Sequence, residues 1–352
     1  MPWAKGTADD FIDFLRKVRD FASGSLDPLT DPDFDDGSGV VPSAEQWIVL
    51  TNGAGMTNIP GSGFATDGEV YLQGPGSDPS DEIIVGFKTY RNAGANIFGW
   101  KMRGFTAFDD GLDWDTLPGL SPQVLAAFDD ASFTIYIWVN ARRIMALARI
   151  GTTDILVHLG FIQQFGTRNQ YPYPLLIGGS VVDDTISFQT NHFGHSCMPD
   201  PCGLGAQLRW VDGTWQEVNN FTGTSAFRNQ ARESTGYVMW PQRDPVTSAD
   251  GSVIGSQDIS ENGIFENFNS GTAPYVSSSE IDAHTLFSCV LASNLPAPAA
   301  IGRVDGLFTM FGLGLIKGDT LTDSSESPAV VYDVFGNTWR SEPPDFFAIR
   351  RE

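Results

Sequence analysis

The stretch from Thr134 to Ser180 constrains this chain more than any other. It opens with an apolar, β-branched and aromatic run, turns, and runs apolar twice more before closing on a Tyr-Pro-Tyr-Pro loop. That pattern is a β-sheet building block. It carries almost no side chain suited to chemistry, so it speaks of architecture rather than of reaction.

The remainder of the chain extends this reading. At 352 residues it is long enough for two domains. Its 25 Phe, 9 Trp and 8 Tyr imply an aromatic core, and its 38 Gly and 21 Pro are spread along the whole length. Scattered turn residues fit many short strands. Strands are expected over 47–52, 69–73, 83–90, 97–105, 155–161 and 175–177. A hairpin over 133–139 and 143–150 is expected to turn at Asn140 and Ala141. Farther on, strands at 206–210 and 215–218 flank Asp212-Gly213, a two-residue hairpin signal, and apolar runs recur to the end of the chain. The expected fold class is mainly β: two β-sandwich or barrel-like antiparallel domains with a short N-terminal α-helix. The expected units are an N-terminal helix or arm (1–24), a first β domain (25–185) and a second β domain with long loops (186–352).

Residues 7–22 give the helix signal. Thr7 is placed as an N-cap, with Asp9 and Asp10 in the first turn. Phe11, Phe14, Leu15, Val18 and Phe21 follow the 3.6-residue stripe, and Gly24 is a stop. Such a stripe either packs on its own domain or forms an exposed arm that docks on a neighbouring subunit. On the second reading these five residues, together with the loop Tyr171, Pro172, Tyr173 and Pro174, are the assembly-interface candidates. Residues 25–43, acidic and rich in Gly and Pro, read as a linker or mobile loop.

The charge is one-sided, with 43 acidic against 21 basic residues and a net charge of −22. Such a surface repels phosphate backbones and anionic lipid head groups, so neither nucleic acid nor membrane is an expected partner. It gives solubility, or docking onto a basic partner. Met1 to Lys5 lead into a charged segment without the apolar region of a secretory signal. The longest apolar candidate for a membrane span, 133–150, is interrupted by Asn140, Arg142, Arg143 and Arg149. Three cysteines are too few for a disulfide-stapled scaffold, and the expected folding compartment is a reducing cytoplasm.

Candidates for chemistry are few. His192, His195, Cys197 and Cys202 are good zinc ligands within a single Gly/Pro loop. Structural zinc sites, however, draw on two separated ligand pairs, so a Cys197–Cys202 disulfide and a plain loop remain as alternatives. Doublets at Asp109-Asp110, Asp129-Asp130 and Asp183-Asp184 could supply the paired carboxylates of a glycosidase. Asp31, Asp33 and Asp35 begin like a calcium loop, but Asp36 and Pro42 stand where an EF-hand needs Gly and Glu. No G-x-S-x-G is present, and the glycine-rich 52–63 stretch lacks a P-loop lysine. No cofactor is expected.

Several segments together resemble a family of virion structural proteins of tailed bacteriophages and prophages. They are Leu72-Gln73-Gly74-Pro75-Gly76 with Asp81 to Gly86 and Thr89-Tyr90, then Trp100 to Phe105 and Trp138 to Arg143. Gln170 to Ser180 is the most distinctive; Leu208 to Trp215, Gly302 to Phe308 and Tyr332 to Arg350 complete the series. The pieces run in order from about residue 47 to the end. The resemblance implies a tail, baseplate or neck component in several copies, built mainly of β-structure, with no catalytic residue. It implies a protein made in the host cytoplasm and found in the virion, with copies of itself and other virion proteins as partners. The chain departs from the family around 192–202 and in the acidic 25–43 segment. A glycan-binding adhesin using exposed Trp and Tyr, or a tail-associated glycan hydrolase using the aspartate doublets, are the competing functions.

Overall fold

The computed structural model describes residues 1–50, 69–78, 81–151, 153–164 and 172–180, and beyond them residues 184, 187, 188, 213, 214, 351 and the strands named below. The chain is mainly β. Strand β1 (Trp3–Ala8) leads into helix α1 (Phe11–Ala22), which returns through β2 (Phe34–Gly37). The helix starts later than the sequence suggests. Thr7 lies in β1, and the N-cap is Asp10, whose carboxylate accepts the N–H groups of Ile12 and Asp13 at 2.8 and 2.7 Å. Gly24 follows the helix at φ +71°, a conformation that suits glycine, and donates its N–H to Phe21 O.

Five strands form an antiparallel meander: β3 (Ile48–Leu50), β4 (Glu69–Gly74), β5 (Ile83–Asn92), β6 (Ile97–Phe105) and β7 (Val124–Phe128). The second sheet is built on β8 (Phe133–Asn140), β9 (Arg143–Ile150) and β10 (Thr153–Phe161). In it β2, β1, β8, β9 and β10 lie side by side. After β11 (Gln163–Gln164) the sheet continues through β12 (Leu175–Gly178), β13 (Ala206–Arg209) and β14 (Trp215–Asn220). It ends with β15 (Tyr237–Trp240), then, past the separate β16 (Val246–Thr247) and β17 (Val253–Ile254) pair, with β18 (Ser288–Leu291), β19 (Ala300–Arg303) and β11. The boundary expected near residue 185 falls between β12 and β13, which are hydrogen-bonded neighbours. A four-stranded sheet holds β20 (Leu307–Met310), β21 (Thr320–Asp323), β22 (Val330–Gly336) and β23 (Phe346–Arg350). The sheets are open and packed in layers, compatible with a sandwich and not with closed barrels.

The core lies between the two N-terminal sheets. Ile135, Ile137 and Val139 on β8, Ile144, Ala146 and Ala148 on β9, and Val157, Leu159 and Phe161 on β10 face it from one side. Val70, Leu72, Val85, Phe87, Trp100, Met102 and Phe128 face it from the other. Trp47 ties the layers by donating its indole N–H to Asn140 O at 2.9 Å. The opposite face of the large sheet is also buried: Tyr136, Trp138, Met145, Leu147, Leu156 and Leu176 lie there, with Phe335 of β22 against Tyr136 and Trp138 at 4.9 and 5.6 Å. A sheet covered on both sides needs apolar residues at every position. That is why the 134–180 stretch reads as continuous runs rather than as alternation.

The acidic 25–43 segment is not a free linker. Leu26, Phe34 and Val41 enter the core, and β2 pairs with β1. Lys17, buried on α1, donates to Thr7 O and pairs with Asp13 and Asp33 at 2.8 and 2.9 Å, fastening the segment to the helix.

Candidate assembly surfaces

The helix stripe is turned inward. Phe11, Phe14, Leu15, Val18 and Phe21 are all at most 1% exposed. Phe14 packs tilted against Trp100 at 4.6 Å and meets Phe128 and Phe133 edge-on, while Trp100 donates its indole N–H to Phe11 O at 2.7 Å. The exposed-arm reading is therefore corrected: the apolar face that would dock on a neighbour already fills the chain's own core. Periodicity identified the stripe but could not say which surface receives it, because intramolecular and intermolecular burial impose the same pattern.

The Tyr-Pro-Tyr-Pro loop divides. Tyr171 lies outside the described residues, Pro172 is exposed, and Pro174 is buried. Tyr173 is an internal strut: its hydroxyl sits 2.5 and 2.6 Å from the carbonyl oxygens of Glu82 and Phe105, and its ring meets Phe161 edge-on at 4.9 Å. The phenol joins the start of β5 and the end of β6 to the chain entering β12. Burial pushes its pKa up, which keeps it a neutral donor. Of this loop, Pro172 is the described residue left to face a partner.

His192, His195, Cys197 and Cys202 lie outside the described residues, as does Asp183. Among the described residues no cluster of three or more His, Cys, Asp or Glu side chains is arranged to hold a metal ion. The remaining aspartate doublets sit in separate turns. Asp109 and Asp110 are exposed in the 106–121 loop, whereas Asp130 pairs with Arg91 at 3.1 Å and Asp184 with Lys101 at 2.9 Å. Burial raises the Asp130 carboxyl above its ordinary value, with Arg91 acting against it.

Sequence reasoning missed the seam between the large sheet and the C-terminal strands. Asp154, fully buried, is gripped by Arg149 through two bonds of 2.8 and 3.2 Å. That guanidinium lies over the rings of Tyr136 and Phe335 at 5.6 and 5.3 Å. Arg351 repeats the device, pairing with Asp333 at 2.7 Å and covering Trp3 at 4.0 Å. Trp138, Met145 and His158 form a row across β8, β9 and β10 on the same face. His158 is wholly buried, and neither ring nitrogen has a hydrogen-bond partner. The backbone at Leu176 and at His158 itself slightly favours the charged ring without reaching hydrogen-bond geometry. Burial, with the Arg143 guanidinium acting in the same direction, drives its pKa down to about 3, so the imidazole is neutral.

The three described sheet edges of the N-terminal half differ. β2 carries exposed Asp35 and Asp36, with Pro32 just before it, a guarded edge. β7 is closed by residues 179–180: Ser180 donates its N–H to Leu125 O at 2.8 Å, and the Ser180 hydroxyl lies 3.4 Å from the Ala127 nitrogen. β3 is different. Its residues Ile48, Val49 and Leu50 pair with β4 on one side, and no described residue pairs with the other. Val49 turns to the core, and Leu50 packs on an outer cluster of Tyr71, Ile84, Phe105, Trp114 and Leu117. Ile48 is 62% exposed.

Beside this edge the 106–121 loop folds over the meander, anchored by Trp114 and Leu117. It displays Asp109, Asp110, Asp113 and Asp115, of which Asp115 pairs with Arg103 at 2.6 Å. Burial first, and then the charges of Glu69, Asp113 and Asp115, push the Tyr71 phenol well above its usual range. Tyr71 stands opposite Leu50 in the ladder, and the Glu69 carboxylate to which its hydroxyl donates is paired with Lys88 at 2.9 Å. No protein-family model and no curated protein matches the chain.

Proposed function

We propose that this chain is a non-enzymatic structural component of a tailed-bacteriophage virion, in the tail, baseplate or neck, assembling with copies of itself and neighbouring virion proteins. The observation that carries the reading is where the resembling segments fall. Residues 72–76 and 81–86 form the β4–β5 hairpin, 100–105 lie in β6, and 138–143 turn β8 into β9. Residues 175–178 of the most distinctive segment are β12, and the C-terminal segment spans β22 and β23. The likeness thus runs through the framework of a layered β protein, and the buried charges of that framework act as staples between layers. Burial of Trp3, Trp47, Trp100, Trp114 and Trp138 removes these five indoles from any glycan platform, which weakens the adhesin alternative. Co-sedimentation tests the proposal: the chain is expected to band with infectious particles in a density gradient, and its confinement to the soluble fraction overturns it.

A further inference from the structure

We infer that β22, with the C-terminal sheet it belongs to, is a releasable cover: protonation of His158 lifts it from the large sheet while the N-terminal sandwich stays closed. This device stands apart from the virion reading and holds whether or not the chain bands with particles.

Three observations carry it. First, the two faces of the large sheet are buried by different means. The core-facing side chains of β8, β9 and β10 named above are all apolar. On the other face Phe335 meets Tyr136 and Trp138, but the remaining fastenings are charged. Arg149 reaches Phe335 from Asp154, and Arg351 joins Asp333 of β22 to Trp3 and, at 3.7 Å, to Asp36. Mixed contacts of this kind part more readily than an apolar core does.

Second, the same face holds three buried polar atoms without a hydrogen-bond partner: both ring nitrogens of His158 and the indole nitrogen of Trp138. Water would satisfy all three on opening, so their burial penalises the closed seam.

Third, the charges around the imidazole set the direction of the response. Arg143 and Arg149 of β9 share its face, as does Asp154 of its own strand. β8 contributes the Tyr136 phenol, β12 the uncharged Leu176 and Gly178, and β22 Asp333, held by Arg351. Arg149 and Asp154 neutralise one another, as do Arg351 and Asp333, and the Arg143 guanidinium is the charge that bears on the ring. A proton on His158 would put a second cation beside Arg143 on a buried face, and opening relieves both the desolvation and the repulsion. The closed ring stays neutral at pH 5, whereas the open ring regains an ordinary affinity near 6.5, so the open population is expected to rise about 30-fold between pH 7.5 and 5.

Native-state thiol labelling tests this. Leu156 and Val157 are neighbours on β10, both fully buried, the first on the seam face and the second in the sandwich core. Leu156→Cys and Val157→Cys are made singly in the full chain carrying Cys197→Ser, Cys202→Ser and Cys289→Ser. Reaction with dithiodipyridine is followed at each pH and scaled to a free thiol. At about pH 5, Leu156→Cys is expected to label at least ~10-fold faster than Val157→Cys, with a scaled rate about 30-fold above that at pH 7.5. In His158→Leu, and in His158→Gln, which keeps a polar amide but takes no proton, that rise is expected to shrink to less than ~3-fold. Should one of these variants fail to fold, the other decides. Equal labelling of the two cysteines would mean opening by global unfolding and would overturn the inference. So would a Leu156→Cys rate that ignores pH, or a rise that persists in a folded His158 variant.

Discussion

His158→Leu is the sharpest probe of how the large sheet meets the C-terminal strands. In the native fold the ring is buried, neutral and without hydrogen-bond partners, with a pKa lowered from 6.5 to about 3. The unfolded chain binds a proton at this residue near pH 6.5 and the folded chain does not. The contribution is therefore fully present above the unfolded pKa and is lost as pH falls toward the folded one. The shift corresponds to about 5 kcal/mol in total, of which about 2 kcal/mol is lost by pH 5 and about 3 kcal/mol by pH 4. Leucine nearly matches the ring in volume and brings no orphaned nitrogen, so the variant is expected to gain about 1–3 kcal/mol at pH 7. Its advantage over wild type is expected to widen by about 3 kcal/mol by pH 4, because carboxylate titration is common to both proteins and cancels in the difference. Urea unfolding followed by tryptophan fluorescence between pH 4 and 7.5 measures this. Parallel pH profiles for the two proteins, or a less stable variant at neutral pH, would refute the picture of an unsatisfied neutral imidazole in the seam.

Phe14→Ala is expected to cost about 3–5 kcal/mol, because its ring is enclosed by Trp100, Phe128 and Phe133. Deletion of residues 1–24 is expected to give insoluble protein, since it removes both the helix stripe and β1, an interior strand; a soluble, folded truncation would restore the arm reading. Asp154→Ala leaves the Arg149 guanidinium in the seam without its carboxylate and is expected to cost about 3–5 kcal/mol, with most of the loss recovered in Arg149→Met/Asp154→Leu. Equal destabilisation of the single and double variants would show that packing, not charge compensation, holds that site.

The strands with strong β-branched and aromatic runs were legible in advance: β6 and β9 begin and end where the sequence places them, and Asn140 makes the expected turn by accepting from the N–H groups of Arg142 and Arg143. Others were not, and three of them show why. β1 mixes Lys5, Gly6 and Thr7 between apolar residues and gains its conformation from pairing with β8, a long-range contact without a local signature. β2, Phe-Asp-Asp-Gly, opposes strand propensity and is held by β1 and by Phe34 in the core. β7 is a five-residue apolar run whose type short periodicity cannot settle. Composition likewise showed the acidic surplus but not that Asp109, Asp110, Asp113 and Asp115 gather in one loop anchored by Trp114 and Leu117. An exposed isoleucine in a three-residue strand looks like any other core isoleucine until the topology puts it at an edge.

The central claim, that the chain serves as a framework piece of a virion, is tested most directly by quantitative mass spectrometry of gradient-purified particles. The account predicts a fixed, multi-copy ratio of this chain to the other particle proteins in every infectious fraction. A chain missing from those fractions, or present at less than one copy per particle, would contradict it.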